Sequence, residues 1–440
     1  MSGRAAVPPW HVSHERLARA AYSMLLRLAL PAALARLWWR GRREPAYREH
    51  LNERLGVGAT LVPGALWLHA VSLGETRAAA ALLVELRRQR PGVRLLLTHG
   101  TATGREAGAA LLQPGDAQCW LPLDTPGAVR RFFTRTRPAL GVLMETEVWP
   151  NLLHAAQRQG VPVVLANARL SERSAAKGRR LAVLMHPAVA RLAAVFAQTA
   201  DDAARLLAAG ARTVQVLGNL KYDMTPDPLL LARGRQWRAA LARPLVLAAS
   251  TREGEEAPLL EAWCTLAQPR PLLLIVPRHP QRFDAVATLA ADRGLRVQRR
   301  SAWAESPPPE AALADVWIGD SLGEMALYYA LAEVALLGGS FARLGGQNLI
   351  EAAACGCPLL MGPHTFNFAD AAERALQAGA AERADCIAAA VARVVQLLAE
   401  PGRARLALQA RCALQFAARH RGAASRTAAA LTALLAQPKG

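Results

Sequence analysis

From about residue 60 onward, short apolar runs alternate with longer stretches of helical period, and this rhythm constrains the fold more than any other feature. The runs are "ALWLHAV", "VRLLLT", "ALGVLM", "VPVVLA", "AVFAQ" and "VQVLG", then "PLVLAA", "PLLLIV", "DVWIG", "EVALLGG" and "PLLMG". Runs without polar alternation suit strands buried on both faces. Parallel strands of that kind need helical crossovers between them. The expectation is therefore α/β, with two successive doubly wound units and a seam near "GNLKYDMTPDP", where Pro226 and Pro228 punctuate the chain. A length of 440 residues suits two such domains. The expected boundaries are residues 1–45 for an N-terminal helical segment, 46–225 for the first domain, and 226–440 for the second with the C-terminal helices.

In doubly wound folds ligands bind beyond the carboxyl ends of the strands. The stretches that follow the strand candidates are "HAVSLGET", "METEVWPN", "NARLSERS", "STREGEE", "PRHPQRF", "GDSLGEM" and "GGSFARLGGQN". Four positions carry a short polar residue with glutamate three places on: Ser72/Glu75, Ser250/Glu253, Ser321/Glu324 and Asn348/Glu351. That spacing is a capping box, so each glutamate has a plain role in holding its own helix start. The alternative is a set of helix N-termini offering N–H donors to an anion. Arg278 and His279, between two prolines, are either a surface turn or a phosphate contact. Lys221 stands out because this arginine-rich chain has lysine at only three positions, 177, 221 and 439. A compact ammonium differs physically from a planar guanidinium.

The formal charge of +19 raises nucleic acid, anionic lipid or an acidic substrate as partners. The arginines are scattered without interleaved aromatics, which disfavours a dedicated nucleic-acid surface. Six cysteines without C-x-x-C spacing speak against a metal site or a disulfide framework and fit a reducing compartment. Residues 17–39 are long enough to span a bilayer, yet Arg19, Arg27 and Arg36 interrupt them. Arg16, Arg19 and Arg27 share one side of a helix, Trp38 and Trp39 adjoin Arg40, Arg42 and Arg43, and residues 1–54 hold ten arginines against four glutamates. The segment reads as a helix lying on an anionic membrane surface. A helix packed on the protein's own body stays open as the alternative.

Taken together, "HAVSLGET", "METEVWPN", "NARLSERSA", "GNLKYD", "STREGEE", "PRHPQRF", "GDSLGEM" and "GGQNLIEAAACGCPLLMGPHTFNFAD" resemble the 3-deoxy-D-manno-octulosonic acid (Kdo) transferases of lipopolysaccharide assembly. The resemblance covers nearly the whole chain. It implies a GT-B architecture, two Rossmann-like domains facing a cleft, with monotopic attachment to the cytoplasmic face of the inner membrane. It implies transfer of Kdo from CMP-Kdo to a lipid A precursor (lipid IVA), with inversion and with neither cofactor nor metal. Glu75 then corresponds to the catalytic base, and Glu145 with Lys221 to a pair that stabilises the transition state. Ser250, Thr251, Arg278, His279, Leu322, Gly323, Glu324, Asn348, Leu349, Ile350 and Glu351 correspond to segments that hold CMP. The chain departs from the family's usual wording at Arg252, Gln347, Leu349 and Ser321-Leu322. The rival expectations are another GT-B nucleotide-sugar transferase or epimerase, and a non-catalytic protein that binds membrane surfaces.

Overall fold

The computed structural model describes residues 9–436, with side chains from residue 14 onward. It divides into two compact units, one running to Asp223 and resuming at Arg421, the other running from Met224 to His420.

The first unit is built on seven parallel strands: β1 (Leu66–His69), β2 (Leu95–His99), β3 (Ala117–Trp120), β4 (Leu140–Met144), β5 (Val163–Ala168), β6 (Ala194–Ala197) and β7 (Val214–Val216). They lie in the order β3-β2-β1-β4-β5-β6-β7, so the order reverses between β1 and β4. The two-residue period of a strand divides its side chains between two cores. Leu66, Leu68, Leu95, Leu97, Val142 and Met144 pack on one face, and Trp67, Leu96, Leu143, Val163 and Leu165 on the other. Both faces are covered, which is why these strands carry no polar alternation.

The second unit repeats the plan with β8 (Leu245–Thr251), β9 (Leu272–Pro277), β10 (Val297–Arg299), β11 (Val316–Ile318), β12 (Val334–Leu337), β13 (Leu359–Met361) and β14 (Ala381–Arg383), ordered β10-β11-β9-β8-β12-β13-β14. The reversal lies between β8 and β12, which pair directly from Val246 with Val334 to Ala249 with Leu337.

The chain returns to the first unit at its end. The helix Ala423–Ala436 lays Ala424, Ala428 and Leu431 into the core that also holds Leu66 and Leu82. The expectation that all the C-terminal helices belong to the second domain does not hold for this one, since residues from Arg421 on join the first unit. The correction follows from that apolar stripe, which completes a core face of the first sheet.

The N-terminal helix, Pro9–Arg40, continues through Pro31. It is long and apolar enough to cross a membrane. Over residues 15–23 its attachment to the first unit is polar: the Tyr22 hydroxyl donates to Asp124 at 3.0 Å, Ser23 is buried and donates to Asn151 Oδ1 at 3.1 Å, and Glu15 pairs with Arg191. Asp124 also accepts the N–H groups of Asn151 (3.1 Å) and Leu152 (2.7 Å), the open donors at the start of the helix Pro150–Arg158. Leu17, Met24, Leu25 and Leu28 are meanwhile 63–69% exposed. An ordinary surface helix buries its apolar stripe and wets its polar one; the first half of this helix instead turns Glu15, Tyr22 and Ser23 inward and leaves those four apolar side chains outside, while further along Leu26, Leu30, Leu34 and Leu37 are half-buried.

Candidate active site

β1 ends at His69, and three residues later Ser72 caps the helix Leu73–Gln89. Ser72 has extended backbone angles, and its Oγ accepts from Glu75 N at 3.5 Å. The Glu75 carboxylate reaches back in turn, accepting from Val71 N at 2.9 Å and from the Ser72 hydroxyl at 3.1 Å. The reciprocal pattern is a capping box whose glutamate reaches one residue beyond the cap. Burial pushes the Glu75 carboxyl up to about 7; the Val71 N–H works against the rise, and the nearby Glu145 and Glu147 add to it. Glu75 thus caps its own helix while its carboxyl gains and loses a proton near neutral pH.

Glu145 follows β4 directly, at a left-handed φ of 56°. Its N–H donates to Ala166 O at 2.9 Å, and its carboxylate meets Lys221 Nζ at 2.8 Å, with both side chains largely shielded from water. Lys221 rides on the short turn Leu220–Asp223. That turn is pinned on one side by Leu220 N donating to Asn167 Oδ1 (3.0 Å). On the other, the Asp223 carboxylate accepts from Ala424 N at 2.7 Å, at the start of the returning helix. The structure therefore brings Glu145 and Lys221 together, and the Glu145 charge acts on Glu75.

Three further groups belong here that the motif reading did not single out. Glu147 is half-buried, and burial raises its carboxyl while the Trp149 indole, donating at 2.7 Å, opposes the rise. His69 is buried, and burial lowers its imidazole to about 3. Its Nδ1 faces the Thr98 carbonyl at 3.0 Å, so Nδ1 carries the proton and the Nε2 lone pair faces Glu147 at 3.9 Å. That contact is not an ion pair, because the ring is neutral. Asn167, the third, is 1% exposed and stands in the left-handed region at φ 51°.

In the second unit Ser250 sits at φ 56°, where β8 shifts register against β9. The Thr251 hydroxyl is buried and donates to Glu256 at 3.0 Å. Glu255, also buried, accepts from the N–H groups of Arg252 (2.9 Å), Gly339 (2.7 Å), Phe341 (3.1 Å) and Ala342 (3.2 Å), tying the turn after β8 to the turn after β12. A Cβ at Gly338 would lie 2.3 Å from Ser250 O, so only glycine permits this approach. Arg278 and His279 lie exposed after β9. Burial, then the guanidiniums of Arg252, Arg278 and Arg282, lower the His279 imidazole. That cluster of cations suits a phosphate. Leu322 is exposed, Gly323 has φ 85°, and Glu324 is held by Arg300 at 2.8 Å.

Two of the four expected capping boxes do not form. Ser250 has left-handed φ and the next helix begins only at Glu256, leaving Glu253 exposed. Ser321 bonds the Glu324 carboxylate, since its helix begins only at Met325. Asn348 does cap the helix Leu349–Ala354, accepting from Ile350 N at 3.2 Å, with Glu351 half-buried in the first turn. Leu349 and Ile350 are buried, so their side chains serve the core. Among the described residues no group of three or more His, Cys, Asp and Glu is placed to hold a metal ion.

The family model described as 3-deoxy-D-manno-octulosonic-acid transferase (kdotransferase) matches residues 49–224. A 3-deoxy-D-manno-octulosonic acid transferase of Bordetella pertussis is 47% identical over 430 residues, covering 94% of this chain and 99% of its own. Its counterpart from Haemophilus influenzae is 35% identical over 356 residues, 79% and 82% of the two chains. Among solved structures, Anabaena Alr3699/HepE in complex with UDP is similar at TM-score 0.58 and 14% identity, over 84% of this chain and 99% of that one, a likeness of fold alone.

Proposed function

Because this chain belongs to the Kdo transferase family, we propose that it moves Kdo from CMP-Kdo to a sugar hydroxyl of a tetraacylated disaccharide lipid A precursor. It is a glycosyltransferase built from two Rossmann-like units of the GT-B kind. The observation that carries the proposed mechanism is the Glu75 carboxyl near 7 beside a Lys221–Glu145 pair. Glu75 takes the proton from the acceptor hydroxyl as its oxygen bonds to the anomeric carbon of Kdo. The bond to CMP breaks in the same displacement and inverts that carbon. Positive charge grows on the sugar ring and negative charge on the leaving phosphate, and the Glu145 carboxylate and Lys221 ammonium are suited to stabilise such a separation. A phosphate leaves without needing a proton, so a base matters more than an acid.

On the donor side, Arg278 and His279, the turn Leu322–Glu324 and the helix start Asn348–Glu351 offer cations, N–H groups and a ribose-accepting carboxylate, with Ser250 and Thr251 lining the same site. The N-terminal helix supports attachment to one leaflet: Glu15, Tyr22 and Ser23 are engaged by the protein, and the exposed Leu17, Met24, Leu25 and Leu28, with Arg16 and Arg27 beside them, suit a membrane surface. Arg40, Arg42 and Arg43 beside Trp38 and Trp39 suit anionic headgroups. We take that leaflet to be the cytoplasmic face of the inner membrane, where the acceptor lipid is available.

Incubating the purified protein with CMP-Kdo and the lipid A precursor, and weighing the product by mass spectrometry, tests this directly. Mass increments of Kdo are expected. Replacing Glu75 with Gln should cut turnover by roughly 10²–10⁴-fold, the usual worth of a positioned base, while CMP still binds. Turnover of a UDP-sugar with none of CMP-Kdo overturns the reading.

A further inference from the structure

β5 ends irregularly: its pairing with β6 shifts register between Leu165 and Ala168, and Asn167 occupies the slip at φ 51°. A left-handed backbone disfavours side chains, and asparagine is among the residues that tolerate it best. Glycine would tolerate it with less strain, so the asparagine supplies something glycine lacks. Its Oδ1 accepts from Leu220 N at 3.0 Å, and its own carbonyl is fixed by Gln198 Nε2 at 2.9 Å. Nδ2 is buried with no partner among the described residues. Because Leu220 N–H is a donor, the amide oxygen and not the nitrogen must face it.

These bonds close a circuit. Glu145 N donates to Ala166 O at 2.9 Å; the chain passes from Ala166 to Asn167; Asn167 Oδ1 receives Leu220 N; the chain passes to Lys221; and Lys221 Nζ returns to the Glu145 carboxylate at 2.8 Å. Two corners of the circuit, Glu145 and Asn167, are non-glycine residues at positive φ. Strain of this sort persists only where the surroundings over-determine it, and it gathers at functional sites. We infer that Asn167 is a positioning residue, whose amide oxygen fixes the turn that holds the Lys221 ammonium against Glu145. The inference rests on the proposed catalytic role of that pair.

A double-mutant cycle on the full-length protein, assayed for Kdo transfer from CMP-Kdo to the lipid A precursor, tests it. Asn167→Gly should lower kcat at least tenfold and leave both KM values within twofold. Added to Lys221→Ala, it should cost no more than a further twofold, because the group it positions is already gone. If Lys221→Ala is itself fully active, the catalytic reading of the pair fails. If Lys221→Ala is crippled while Asn167→Gly is as active as the parent, or if the two losses multiply in full, the positioning role is overturned. Should Asn167→Gly melt too low to assay, Asn167→Asp decides, since it keeps an acceptor oxygen toward Leu220 N. A kcat within threefold of the parent at the variant's own pH optimum supports the inference, and a loss of tenfold or more there overturns it.

Discussion

Oε2 of Glu75 accepts the Val71 N–H, and the same carboxylate is the base of the proposed transfer. Its acidity in the folded protein, near 7, lies above the ordinary glutamate value of 4.5, chiefly through burial. Between those two values the folded state binds more protons than the unfolded one, so stability falls as pH rises through the window. Glu75→Gln, neutral at every pH, should therefore melt a few degrees higher than the parent at pH 8. The gap should close below pH 4.5, as differential scanning calorimetry at the two pH values would show. Transfer by the parent should fall on the acid side with an apparent pKa near 7, and the same proton governs both readings. The Ser-x-x-Glu spacing after an apolar run made Glu75 legible. Asn167, His69 and Glu147 were not, because each owes its role to neighbours distant in sequence: Leu220 for Asn167, Thr98 for His69, and for Glu147 the burial that only the packed site provides.

Eleven strand positions are marked by apolar runs, and the three that are not, β3, β10 and β14, all lie at sheet edges. An edge strand is covered less completely, so Gln118, Gln298 and Glu382 can stand in it, and its sequence loses the apolar signature of the interior strands. The N-terminal helix was legible as apolar and cation-flanked, but the direction of its polar side was not. Arg19 turns partly inward beside Tyr22 and Ser23, while Arg16 and Arg27 face out. Replacing Leu17, Met24, Leu25 and Leu28 together with Gln should leave the helix docked, since Tyr22, Ser23 and Glu15 hold it. The variant should shift from the pellet to the supernatant when sedimented with vesicles containing anionic lipid. Retention in the pellet would show that these four side chains do not carry the attachment.

At the scale of the whole molecule, the two sheets and their seam follow from the order of strands along the chain, whereas the return of the final helix does not. Residues 421–436 carry Ala and Leu at a helical period that would serve either unit; only the exposed face of the first core selects one. Ending the chain after His420 should destabilise the first unit severely. It strips a fully buried Leu431 from that core, a side chain worth about 1.5–3 kcal/mol, and it removes the helix start that holds Asp223 beside Lys221. The second unit, contiguous from Met224 to His420, should keep its protection in hydrogen exchange while the first loses its own.

The same return has a consequence for how the protein is made. A ribosome delivers the seven strands of the first unit early, yet the helix Ala423–Ala436 that seals one of its cores emerges only after every residue of the second. The unit that bears Glu75 and Lys221 is begun first and finished last, and throughout that interval the leucines awaiting the helix stand open to whatever chaperone attends the nascent chain.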